Sequence, residues 1–549
     1  MAEALTLRPF FWRATRLFPE TEVVSRTHDG VHRYTYADFG DRVKRLAGAL
    51  RDLGIEPGDR VGTLAWNTHR HFEAYYAVPL SGAQLHTVNL LLQDDHVTYI
   101  INDAADDVLI VDRNAIETLD RLWDRIESVR EVVVMSGSVP ETESDLPLSA
   151  AEELIADADP MESWPSLKED DPAGICYTSG TTGKPKGVEY THKMLYAHAM
   201  MVMTPSALNI AESDVVMPVV PMFHVNSWEF PYAVTMAGAK QVYPGPSPDP
   251  ADLVALIEAE GVTLTAGVPT VWIDVLDHLD DHGGDLSSLD RIVVGGSAAP
   301  REVMRRYEDE HDVTIEHAWG MTETMSIGSV SRPISGMADA DRETELDKRA
   351  KQGLLSPGLE MRIVGDDDEP VAWDGDAVGE LLVRGPTVVE EYYNRPGTAE
   401  TDFRPADDGG ARWLRTGDIA TVDEDGYIDV VDRVKDVIKS GGEWISSIEL
   451  ENALMAHQEI AEAVVIAASH ERWQERPLAF VVSKGDQELD VAAVRAFLAD
   501  QFPRWWLPDD VRFREAIPKT ATGKFDKKTL RETVEEPELP YAPGEADGE

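Results

Sequence analysis

One cysteine, Cys176, stands in 549 residues, which rules out an internal disulfide. It sits in a short apolar, β-prone run, Ala173-Gly-Ile-Cys-Tyr177, so a packed core thiol is expected rather than a nucleophile. Long apolar runs are missing too: no stretch reaches the roughly 18 residues that a membrane span takes. The start, Met1-Ala-Glu-Ala-Leu-Thr-Leu-Arg-Pro-Phe10, lacks the charged-then-apolar layout of a secretory leader, and a cytoplasmic location is the expectation. Positive charge is scarce. Fifty Lys and Arg face 101 Asp and Glu, for a net charge of −51. Such a shell repels nucleic acid and anionic membranes, so neither is expected as a partner. A hydrophobic content of 43%, spread along the whole chain, argues against acidic disorder. At about 1 M salt the screening length falls to ~3 Å and this self-repulsion becomes tolerable, so a halophilic setting is expected. No group of His, Cys and carboxylate has zinc-ligand spacing.

Lysine is the rarer cation, with fifteen in all. Eight of them (Lys184, Lys186, Lys435, Lys439, Lys519, Lys524, Lys527, Lys528) fall in three short stretches. The first is Tyr177-Thr-Ser-Gly-Thr-Thr-Gly-Lys-Pro-Lys-Gly-Val188. Glycines there remove side chains that would block a polyanion, while hydroxyls and lysines supply donors, so the run reads as a phosphate-binding loop. It lies between a strand and a helix that opens at the N-cap residue Thr191. A Walker A loop is excluded, because only two residues separate Gly180 from Gly183 and Pro185 follows Lys184. A second small-residue run, Gly295-Gly-Ser-Ala-Ala-Pro300, follows the strand Asp290–Val294. Ala299 stands where a nucleophile elbow needs glycine, which disfavours a serine hydrolase. Strands alternating with helices predict an α/β fold, a largely parallel sheet with ligands at its carboxyl edge.

The Tyr177–Val188 run resembles the signature of the adenylate-forming (ANL) superfamily, which holds acyl-CoA synthetases, peptide-synthetase adenylation domains and luciferases. Other blocks follow in the family's order: Pro221-Met-Phe-His-Val-Asn-Ser-Trp228, Gly295–Pro300, His317-Ala-Trp-Gly-Met-Thr-Glu323, Gly379–Pro386, Trp413–Asp418, Asp425–Ile445 and Pro518–Lys527. The likeness runs from near residue 10 to about 532 and departs at Trp319, where the family more often has Tyr, and at Lys435, where some relatives carry Asp. It implies a large N-terminal domain of layered, largely parallel sheets (1–432), a hinge at 433–435 with Lys435 as pivot, and a small mobile α+β domain (436–534). Residues 535–549 would form an acidic, disordered tail.

The resemblance also implies roles. Thr178, Ser179, Gly180, Thr181, Thr182 and Lys186 would cradle the phosphates of ATP, and Ser297, Ala298, Ala299, His317, Ala318, Trp319, Gly320 and Thr322 would meet the rest of the AMP moiety. Asp418 and Arg433 would hold the ribose, with Asp418 ending a strand. Glu323 and Thr178 would hold Mg²⁺, and Lys524 would be the mobile catalytic lysine. His224, Trp228, Gly295 and Gly296 would line the acyl site, and Lys439, Gly441, Gly442 and Trp444 would meet coenzyme A. The implied enzyme is an AMP-forming acid–thiol ligase that joins a medium- to long-chain fatty acid to coenzyme A through an acyl-adenylate. A short-chain, methylthio-alkanoate or aryl acid is the alternative substrate. A luciferase-like oxidoreductase ranks below both, and a peptide-synthetase module would require a carrier domain beyond the last residue. Relatives of this kind are often homodimers.

Overall fold

The computed structural model describes residues 4–141, 144–178, 184–365, 367–395, 397, 401–406, 408–440, 443–470, 472–484, 489–499, 501–519 and 525–533. Two large sheets carry most of it. The first has seven strands, in the order Leu148–Ala150, Glu131–Val134, Val108–Val111, Arg60–Leu64, Gln84–Thr87, Pro172–Tyr177 and Gly187–Thr191. All neighbours are parallel except the last pair. The second has nine, and its centre is the parallel set Thr314–Trp319, Arg291–Val294, Leu264–Gly267, Val215–Pro218, Lys240–Tyr243 and Glu22–Thr27. Crossover helices supply the parallel connections, as the alternating pattern predicts. Pro250–Glu260 is one of them: Asp249 and Asp252 form a reciprocal cap at its start, and Gly261 ends it at φ +66.

Helix His69–Leu80 packs against strands of both sheets and buries every residue but Arg70. A helix buried on all sides, His69, His71 and Glu73 included, belongs in the middle of a layered fold. Cys176 faces the same core at 1% exposure, and burial pushes its thiol up to about 11, as expected of a packed thiol. Among the described residues no helix is long and apolar enough to cross a membrane.

A smaller antiparallel sheet, Glu360–Val364, Gly379–Arg384, Trp413–Val422 and Phe403–Arg404, follows, and Ile428–Arg433 pairs with its long strand. Beyond Arg433 comes an α+β unit in which Ile460–His470 and Gln474–Ser483 form the central ladder. Helices Ser447–Met455 and Val491–Ala499 close over it around a separate apolar cluster that includes Leu450, Val465, Val481 and Leu498. A core of its own is what a separately moving domain requires.

Three core histidines are expected to make the fold acid-sensitive. His198 is wholly buried with both ring nitrogens unpartnered, and burial pushes it down to about 3; His71 and His192 are pushed to about 4 for the same reason. The unfolded chain takes up a proton at each near pH 6.5 while the native state does not, so stability is complete above that pH and is lost as pH falls toward 3 to 4. The slope approaches about 1.4 kcal/mol per pH unit per histidine. His198→Leu is expected to flatten the fall in Tm between pH 6.5 and 4.5; an unchanged profile would remove this histidine from the account.

Candidate active site

The phosphate-loop run does not join a strand to a helix as the sequence suggests. Gly187–Thr191 is a strand, paired antiparallel with Pro172–Tyr177 as the second arm of a hairpin, and the helix His192–Val202 starts afterwards. Val188 and Tyr190, both buried at a two-residue period, form the inner face of that strand. At the neck, Thr178 N–H donates to the Lys186 carbonyl (3.0 Å) and Lys186 N–H donates to Thr178 Oγ1 (3.0 Å). Ser179, Gly180, Thr181 and Thr182 lie outside the described residues. The Tyr190 hydroxyl donates to the Thr322 carbonyl (2.7 Å) and so ties this strand to the other large sheet.

A cavity of about 630 Å³ opens beside the hairpin at the carboxyl ends of both sheets. Its wall gathers Thr178, Lys186, His224, Trp228, Gly295, Gly296, Ala318, Gly320, Thr322, Glu323, Arg433 and Lys435, twelve of the residues named from sequence. Gly295 is required there: a Cβ would lie 2.9 Å from the Ala318 carbonyl oxygen and 3.1 Å from Trp228 Cη2. His317, Trp319 and Asp418 stand just behind the wall. His317 Nδ1 bonds the Ala350 carbonyl (2.8 Å), and burial lowers its proton affinity. Ser297 is exposed and Ala298 half-buried and neither lines the cavity, whereas the Ala299 side chain turns into the core that holds Met304 and Tyr307.

Asp418 needs correction. It does not end a strand but sits inside Trp413–Val422, at 1% exposure, with both oxygens engaged. Trp319 Nε1 donates to Oδ2 (2.7 Å) and the Arg433 guanidinium binds Oδ1 (2.6 Å). The backbone turns at Gly417 (φ +70) just ahead of it, which lets the chain continue as strand past the site.

Around Glu323 the structure adds two residues that the sequence did not flag. Glu323 is buried, which raises its proton affinity, and the Tyr392 hydroxyl donates to its Oε1 (2.6 Å). The Lys186 ammonium lies 4.4 Å from the centre of the same ring and 2.5 Å from Asp402 Oδ2. One phenol therefore holds the metal-binding candidate by its hydroxyl and the phosphate-binding candidate by its face. Only the fold brings residues 186, 323, 392 and 402 together. Among the described residues no three of His, Cys, Asp and Glu form a ready-made metal cage. Mg²⁺ needs none, being held by one or two carboxylates together with phosphates and water, and Glu323, with Thr178 in the same cavity wall, fits that donor set.

His224 and Trp228 reach the cavity from an unusual turn. Val225, Asn226, Ser227, Trp228 and Glu229 all have φ between +43 and +60. Non-glycine residues pay about 1–2 kcal/mol each for this left-handed form. Nothing in the residue types announces it.

On the small unit, Lys439 and Trp444 face each other across the hairpin Ile438–Ser440 / Glu443–Ile445, with Nζ 5.2 Å from the ring centre. Neither borders the cavity, and Gly441, Gly442 and Lys524 lie outside the described residues. Lys519, paired across a bridge with Phe525, binds Glu462 (2.6 Å) and exerts its charge on Asp274 of the helix Pro269–His282. Lys435, at the proposed pivot, lines the cavity, and burial lowers its proton affinity.

Comparison with known proteins fits this geometry. A model of the AMP-binding enzyme family matches residues 11–393, and a model of the AMP-binding enzyme C-terminal domain matches residues 449–524. The chain belongs to the AMP-binding enzyme family. Among its relatives is a long-chain-fatty-acid–CoA ligase of Thermus thermophilus, 45% identical over 533 residues, 97% of this chain and 96% of that one. Another is a 3-methylmercaptopropionyl-CoA ligase of Ruegeria lacuscaerulensis, 40% identical over 534 residues, 97% of this chain and 98% of that one. An anthranilate CoA ligase solved with anthranoyl-AMP shares the fold of this family member, with a TM-score of 0.84 at 24% identity over 97% of this chain and 98% of that one.

Proposed function

We propose that the protein activates a carboxylic acid as its adenylate at the expense of ATP and then passes the acyl group to coenzyme A. One observation carries this reading: a single cavity is bordered both by Lys186 and Glu323 and by His224, Trp228 and Gly295. The first set suits a metal-bound triphosphate and the second an acid whose carboxylate must meet the α-phosphorus. Mg²⁺ bound with the nucleotide would neutralise phosphate charge. Lys186 would hold phosphate oxygens, Asp418 and Arg433 would orient the ribose, and Lys524 would steady the charge that develops between carboxylate and α-phosphate. In this scheme the unit beyond the hinge at 433–435 turns between the two steps, withdrawing Lys524 and presenting residues 439–444 to coenzyme A.

A medium- to long-chain fatty acid is the proposed substrate, supported by the Trp228 wall and by the long-chain relative. The methylmercaptopropionyl relative favours a second reading, a short methylthio-alkanoate. Acids graded from two to eighteen carbons, with 3-methylthiopropionate and benzoate alongside, separate the two when AMP release is measured with ATP, Mg²⁺ and coenzyme A in molar salt. Highest kcat/KM is expected at eight carbons or more. Turnover confined to the short or aromatic acids would overturn the fatty-acid assignment.

A further inference from the structure

Glu229 closes the left-handed turn and meets two opposing demands at once. At φ +60 its backbone suits glycine, and at 1% exposure its side chain position suits an apolar residue. It is neither. One carboxyl oxygen, Oε1, accepts from Asn226 Nδ2 (3.1 Å), while Oε2 is buried with no hydrogen-bond partner. Burial raises the proton affinity of the carboxyl, which lies among Tyr75, Tyr190, Tyr232 and Cys176. A group carrying both burdens persists where its surroundings over-determine it, and such places cluster at functional walls.

The turn is clamped from both large sheets. Thr87 Oγ1 donates to Asn226 Oδ1 (2.8 Å) from the seven-stranded sheet, and Ser227 Oγ donates to the Val220 carbonyl (2.8 Å) just past a strand of the nine-stranded one. Asn226 relays the first clamp to Glu229, and the Glu229 carbonyl then accepts from Tyr232 N–H (3.1 Å) to start the helix Phe230–Ala237. Between Asn226 and Glu229 lies Trp228, whose ring meets the backbone at Gly295 on the cavity wall. Any change in the turn moves that ring.

We propose that Glu229 is a positioning residue for the acyl wall: by binding Asn226 it holds the turn that lays Trp228 against Gly295, and so sets which chain lengths the cavity accepts. This rests on the acyl reading of that wall. The carboxyl is kept, despite what it costs the fold locally, because selectivity depends on it.

Glu229→Gly and Glu229→Gln test it, with kcat and KM measured for butyrate through stearate and for ATP, and Tm alongside. Glu229→Gln keeps an acceptor for Asn226 and is expected to hold the ratio of long-chain to short-chain kcat/KM within about 2-fold of the parent. Glu229→Gly relieves both burdens, so Tm should stay or rise. Its ratio is nevertheless expected to move by about 10-fold or more, through KM for the acid, with KM for ATP unchanged. Thr87→Val, which removes the far clamp without touching the turn, should move the ratio in the same direction. The proposal falls if Glu229→Gly leaves the ratio unaltered or does not fold, if Glu229→Gln shifts it as far as Glu229→Gly, or if all acids decline equally. Parent enzyme that releases pyrophosphate with no acid at all would instead sink the ligase reading, a separate outcome.

Discussion

Lys524→Ala is expected to lower acid-dependent pyrophosphate exchange by about 10²–10³-fold, the usual loss when one preorganised donor to a developing oxyanion is removed. The second step should respond differently. Supplied with preformed acyl-adenylate and coenzyme A, the variant is expected to retain most of its thioester formation, because in the two-position scheme Lys524 would no longer serve the phosphate at that step. A chain with fifteen lysines against 101 carboxylates has little diffuse positive potential to compensate, so the first-step loss should not be rescued by neighbours. Stopped-flow measurement of each half-reaction decides it. Equal losses in both would mean that Lys524 serves the fold or a shared state, and the two-position scheme would fail.

Asp418→Ala is expected to damage stability and nucleotide binding together. Its carboxylate is 1% exposed and joins the Trp319 indole N–H to the Arg433 guanidinium. Truncating one partner of a fully buried charge pair costs about 3–5 kcal/mol, and the 41% exposure of the Arg433 side chain lowers that toward about 2–3 kcal/mol. Thermal melting reads this loss. In the proposed scheme Asp418 would accept the ribose hydroxyls, so its loss should also raise KM for ATP by about 10- to 100-fold, as expected for one or two charge-assisted hydrogen bonds. Asp418→Asn, which keeps one acceptor oxygen, should lie between. A lower Tm with KM for ATP unchanged would reduce Asp418 to a brace for Trp319 and Arg433.

Periodicity and caps made much of the frame legible. The strand–helix alternation that predicts a largely parallel sheet and the lone buried thiol both follow from local chemistry, since apolar spacing acts on near neighbours. The site residues were legible where a motif keeps its members close in sequence, as in residues 317–323. The remainder depends on distance. Tyr392 and Asp402 act on Lys186 from more than 200 residues away, and neither has a local signature. Gly187–Thr191 was hidden because five residues ending in a helix cap read as the approach to a helix; its strand character comes from pairing with Pro172–Tyr177. Asp418 looked like a strand end because its Gly417 neighbour usually stops a strand, whereas here the glycine only bends one.

The Tyr190 phenol has a broader effect than its one bond suggests. It fastens two architectural layers at the place where a cation from one and a carboxylate from the other must keep a fixed gap. Slippage elsewhere along that seam can then be absorbed without spreading Lys186 from Glu323. Tolerance to drift and accuracy of alignment thus occupy different stretches of the same boundary.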